Sequence, residues 1–205
     1  MHCLLGENGA GKSTLCNLIF GVYAPSAGEM RFGDKAWLPP SPAEALDQGI
    51  AMVHQHFSLV PRMTVVENLM LGQARGVLNR QVFAARIGDI ADRFGFVLDL
   101  SGGNQQKAVL GRELTLDPLV ALVAAQPTRG LDVSAVEAVY RQIRTAARRG
   151  VGVLLISSEL DELIAVADRI AVLYRGRLVG ERPAEMDERG AIGALMSGQL
   201  SGQGV

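Results

Sequence analysis

Apolar residues along this chain fall into two rhythms. Short unbroken runs at His2–Leu5, Ile50–Val53 and residues 119–125, 152–156 and 170–174 read as strands buried on both faces. Between them lie stretches with helical spacing at residues 12–20, 132–148 and 160–167, the last two opened by Asp132 and by the acidic cluster Glu159, Asp161 and Glu162. Val133, Val136, Val139, Tyr140 and Ile143 share one helical face and are expected to be buried together. Residues 30–37 are broken by Gly33-Asp34 as a hairpin would be, and Ser41-Pro42 matches an N-cap followed by proline at the first helical position. Residues 64–71, 79–94 and 104–116 predict helices, and residues 191–196 a short one before a Gly/Ser-rich end. Strands alternating with helices predict an α/β fold with a mostly parallel sheet.

Composition narrows what such a domain does. The chain has 205 residues, one domain's worth, and its 48% apolar content is enough for a packed core. Twenty basic residues against twenty-one acidic ones give a net charge of −1, without the basic excess of a phosphate-backbone binder, so nucleic acid is not an expected partner. Cys3 and Cys16 sit in apolar runs and build neither a disulfide framework nor a zinc site, which fits a reducing compartment. His54 and His56 have no carboxylate or thiolate cluster to complete a metal site. No basic leader opens the chain, and no apolar run reaches the ~18 residues of a membrane span.

The strongest local signal is Gly6-Glu7-Asn8-Gly9-Ala10-Gly11-Lys12-Ser13, a G-x-x-x-x-G-K-S match between a predicted strand and helix. Glycines let successive backbone N–H groups curl around phosphates while the following helix presents its positive end. Lys12 adds a point charge, Ser13 a hydroxyl for Mg²⁺, and Thr14 a contact on the α-phosphate side.

A second glycine-rich turn, Leu100-Ser101-Gly102-Gly103-Asn104-Gln105-Gln106-Lys107, opens another helix. Together the two motifs resemble the ATP-binding cassette (ABC) ATPases. The resemblance implies a P-loop fold of that type, with residues 1–63 and 117–183 as core, 64–116 as a helical subdomain and 184–205 as tail. It implies that Ser101, Gly102, Gly103 and Asn104 close over ATP held by a second cassette, and that Gln55 reaches Mg²⁺ and the attacking water. Arg129-Gly130-Leu131-Asp132 resembles the loop through which paired cassettes touch, so Asp132 joins the expected nucleotide site. Asn-Gln-Gln-Lys after the signature glycines and Pro127 to Asp132 resemble the fused two-cassette ATPases of bacterial simple-sugar and nucleoside importers. That branch implies Mg-ATP as ligand, transmembrane permease subunits as partners, a solute-binding protein indirectly, and a cytoplasmic position on the inner face of the membrane.

The pattern breaks where the chemistry belongs. The family's metal-organising aspartate and catalytic glutamate correspond to Ala125 and Gln126, and its switch histidine to Ser158. Glu159, Asp161 and Glu162 are either substitute bases or a cluster favoured by the helix dipole. Arg141, Arg144 and Arg148 read as a solvated face. Residues 3–71 resemble the first cassette of the fused proteins and the lost carboxylates resemble the second, as in a hybrid joined near residue 100. The family's front strands, with the aromatic that stacks on adenine, precede the phosphate loop's strand and have no counterpart here, which leaves an open sheet edge as an expectation. The rival readings are a nucleotide-binding module without hydrolysis, an inactive recombination remnant, and a soluble cassette ATPase of DNA repair or translation.

Overall fold

The structure, a computed structural model, describes residues 1–54, 60, 63, 67–68 and 102–199, for residues 102–107 the backbone only. Of the expected helix 64–71 only residues 67 and 68 are described, both helical, and of the expected helical subdomain only these and the part from Gly102 on. The expected helix 79–94, the junction near residue 100, Gln55, His56, Ser101 and the last residues of the tail lie outside that set.

Six strands form one sheet in the order β4-β5-β6-β1-β7-β8: β1 (His2–Leu5), β4 (Ile50–Val53), β5 (Ala121–Ala125), β6 (Gly152–Ser157), β7 (Arg169–Tyr174) and β8 (Arg177–Pro183). All neighbours are parallel except β7 and β8, which pair antiparallel through a tight turn. A separate hairpin joins β2 (Arg31–Phe32) to β3 (Lys35–Ala36), with Gly33 at φ 59° in its turn. The helices are α1 (Lys12–Ile19), α2 (Pro42–Asp47), α3 (Gly102–Leu114), α4 (Val133–Arg148), α5 (Leu160–Val166) and α6 (Arg189–Met196).

Alternation along the strands divides the core in two. Cys3, Leu5, Ala51, Val53, Leu122, Ala124, Leu155, Ile170 and Val172 face a layer built with α3, α4, α5 and α6. Leu4, Ile50, Met52, Val123, Ile156 and Leu173 face Cys16 of α1, Phe20 and Ala45 of α2. Both faces of a parallel sheet must be covered, which is why these strands read as continuous apolar runs. Each cysteine is buried in a different layer, and burial pushes the Cys3 thiol up to about 12 and the Cys16 thiol up to about 11.

Three readings change. Val133 is 79% exposed rather than inward; it is the first residue after the Asp132 cap, in the opening turn of α4. α3 is already helical at Gly102, two residues before the expected start. β8 was not foreseen: its Arg-Leu-Val-Gly-Glu-Arg-Pro sequence mixes polar residues into a strand that lies at the end of the sheet.

Candidate functional site

The carboxyl ends of the parallel strands meet along one edge of the sheet, where ligands of open α/β folds bind. Register fixes who meets there: Leu5 pairs with Ser157 and Ala125 with Ile156, so Gly6, Gln126 and Ser158 leave adjacent strands side by side.

The phosphate-loop residues form a tight arch between β1 and α1. Gly9 and Gly11 adopt φ 82° and 105°, conformations open to glycine. A Cβ on Gly6 would stand 2.6 Å from the Leu173 carbonyl oxygen, so that position has no room for a side chain. Lys12 Nζ folds back to donate to the carbonyl oxygens of Gly6 (2.6 Å) and Glu7 (2.8 Å). Partial burial holds its ammonium below the ordinary lysine value. Gly11 caps α1 without a side-chain hydrogen bond, and Ser13 and Thr14 are exposed on its first turn. That leaves an uncapped positive helix end beside a cation, an arrangement that suits a polyphosphate.

Beside Asn8 opens a cleft of about 380 Å³ lined by Gln126, Arg129, Ser158 and Glu159 among others. Gln126 sits at φ 48° just past β5, its N–H bonded to the Ile156 carbonyl at 2.7 Å. Its amide is held on both sides: Arg129 Nη1 donates to Oε1 at 3.4 Å, and Nε2 donates to Ser158 Oγ at 3.3 Å. Ser158 Oγ donates onward to Glu159 Oε1 at 3.4 Å. Ala125 offers no side-chain oxygen. Ser13 is thus the one side chain among the described expected ligands that could hold Mg²⁺, and the residues present fit ATP better than its metal.

Asp132 serves its own helix, accepting from Ala135 N (2.9 Å) and Ser134 Oγ (2.6 Å) as the cap of α4. Gly102, Gly103 and Asn104 form the first turn of α3. The acidic cluster divides: Asp161 pairs with Arg189, while Glu162 turns inward and accepts from Thr128 Oγ1 (2.8 Å) and Tyr140 OH (2.6 Å). Burial, with Glu162 beside it, raises the Tyr140 phenol. Glu162 therefore ties the loop after β5 to the helix after β6, a role that no local pattern announces. Nor does one announce Asn68, whose side chain bonds the backbone of Val60 and Met63, or Arg112, which reaches Glu113 (2.8 Å) and the Asn68 carbonyl (3.4 Å). Arg141, Arg144 and Arg148 are exposed, as expected of a solvated face. Among the described residues no metal-ligating cluster occurs, and no helix is long and apolar enough to cross a membrane.

Residues 1–124 match the ABC transporter family. The chain is 37% identical over 195 residues to the ribose import ATP-binding protein RbsA 1 of Rubrobacter xylanophilus, covering 90% of this chain and 39% of that protein. It is 36% identical over 189 residues to the nucleoside import ATP-binding protein NupA of Lactococcus lactis, covering 87% and 37%. It is also 32% identical over 237 residues to the glucose import ATP-binding protein TsgD13 of Haloferax volcanii, covering 97% and 43%. The chain thus spans about two-fifths of the length of these curated relatives. Its fold superposes on MJ1267, an ATP-binding cassette of an ABC transporter, with TM-score 0.81 at 23% identity, covering 98% of this chain and 88% of that one. The dimeric cassette MJ0796 bound to ADP and Pi gives TM-score 0.76 at 22% identity, covering 90% and 85%.

Proposed function

This chain belongs to the ABC transporter family of ATP-binding proteins, and from that premise we propose that it is an ATP-binding cassette of a sugar or nucleoside importer that holds ATP and hydrolyses it weakly. The observation that carries the reading is the arch from Gly6 to Ser13, with Lys12 folded over two loop carbonyls and an uncapped helix end beneath it. Phosphates entering the arch take Lys12 from those carbonyls. The N–H groups of residues 9–13 and the Ser13 and Thr14 hydroxyls then surround them. Bound Mg²⁺ would supply charge neutralisation at the terminal phosphates, with Ser13 and the expected ligand Gln55 as its holders.

Weak hydrolysis follows from the groups at the other end. An amide at Gln126 accepts no proton, and a general base contributes typically 10²- to 10⁴-fold in rate. Gln126 is also spoken for by Arg129 and Ser158. The same lock supports a second reading, a cassette that closes on ATP and stays closed. In either case Ser101, Gly102, Gly103 and Asn104 would face ATP held by another cassette, with permease subunits and, through them, a solute-binding protein completing the assembly. The expected position is on the cytoplasmic face of the membrane.

Thermal unfolding with and without Mg-ATP, paired with phosphate release, tests this. Stabilisation by ATP with turnover far below that of an ordinary cassette is the expected result. Absence of stabilisation, or ordinary turnover, overturns it, and slow ATP dissociation without phosphate release selects the second reading.

A further inference from the structure

A nucleotide has two ends, and β1 has a neighbouring strand on each side, β6 on one and β7 on the other. The cleft holding Gln126, Arg129 and Ser158 lies on the β5–β6 side and shares Asn8 with the phosphate loop. If the terminal phosphate of ATP points there, as the proposed function requires, its nucleoside trails toward β7 and β8 on the opposite side.

The turn between those strands stands against the phosphate loop. Gly176 N–H donates to the Ala10 carbonyl at 2.8 Å, and Gly176 Cα lies 3.6 Å from where a Cβ of Gly11 would be. Tyr174 pairs with Arg177, leaving Arg175 and Gly176 as the two central residues, at φ 47° and 77°. A two-residue turn with both central residues left-handed is the type I′ pattern, which favours Asn-Gly; arginine in the first place is a costly choice for the turn itself. The exposed Arg175 guanidinium lies over the Tyr174 ring, 5.3 Å from its centroid, and has no ion pair among the described residues. A planar cation backed by a ring, one residue from the group that braces the phosphate loop, is a platform for a flat, electron-rich partner.

The geometry points to Arg175, backed by Tyr174, as the group on which the nucleotide's base stacks. The inference rests on the proposed function and adds to it a base-side contact. It separates recognition of the base, carried by the β7–β8 turn, from recognition of phosphates, carried by residues 6–14.

The test compares ATP with inorganic tripolyphosphate, each with Mg²⁺, by calorimetry on the full chain and on Arg175→Asn and Arg175→Lys. Asparagine suits the left-handed position, so the unliganded melting temperature holds or rises and folding is not at issue. ATP affinity is expected to fall about five- to tenfold in Arg175→Asn, with tripolyphosphate unchanged within about twofold. Arg175→Lys, which keeps the charge and loses the plane, is expected to lose most of the same increment. An equal fall for both ligands would make Arg175 a phosphate contact and overturn the inference, as would unchanged ATP affinity. Failure of the unaltered chain to bind either ligand is a different outcome: it overturns the proposed function, and this inference with it.

Discussion

The two ends of the candidate site are built with equal care and unequal chemistry. Around the phosphate loop every part of the pattern is present: glycines where φ is positive, a lysine over the arch and hydroxyls on the first helical turn. Around the ends of β5 and β6 the scaffold is just as ordered, with Gln126 anchored on both sides, yet Ala125, Gln126 and Ser158 stand where the family resemblance leads one to expect two carboxylates and an imidazole. Holding a phosphate draws on backbone N–H groups and a cation, whereas moving a proton needs a group that can take one. On the proposed reading, the first capacity survives substitutions that remove the second.

The largest effect that would break this contrast is a gain of function. Ala125→Asp combined with Gln126→Glu is expected to raise phosphate release by about 100-fold or more, and Gln126→Glu alone by far less, in a steady-state assay. Next comes loss at the intact end. At ATP near 100 Kd the chain should gain about 2.7 kcal/mol, read as a shift of about 5 to 10 °C in melting temperature, and Lys12→Ala should abolish it. Gly6→Ala should destabilise the fold without any ligand by about 1 to 3 kcal/mol in urea unfolding, because its methyl meets the Leu173 carbonyl. The smallest effect is on pH. Lys12 must be charged to hold phosphate and burial lowers its pKa, so affinity is full below that pKa and declines as pH rises through it. The decline measured in a titration from pH 7 to 10 should therefore begin earlier than the lysine value of 10.5 allows.

Much of the site was legible because it is local. Glycines at fixed spacing, Lys12 and Ser13 are eight consecutive residues, and strand followed by helix supplies their context. The Asp132 cap was equally legible, since a cap bonds three residues away. Glu162 was not, because its partners Thr128 and Tyr140 lie 34 and 22 residues distant, one in the loop after β5 and one on α4, and only the tertiary fold brings them to it. β8 escaped for another reason: at the sheet's end, packed against α6, it has no need of the unbroken apolar run that marks β1 or β5. Val133 shows that periodicity gives a helix's inward direction without saying where along the helix the neighbouring layer stops.

The placement of the two thiols gives the molecule its own reporters. Cys3 belongs to the layer of α3 to α6 and Cys16 to the layer of α1 and α2, both buried and with ionisation suppressed. Neither is a reactive thiolate while its layer is shut. A sulfhydryl reagent therefore labels Cys16 at the rate at which the phosphate-loop helix lifts and Cys3 at the rate at which the opposite layer opens. ATP should slow the first more than the second, so one unmodified chain carries a separate clock for each side of its sheet.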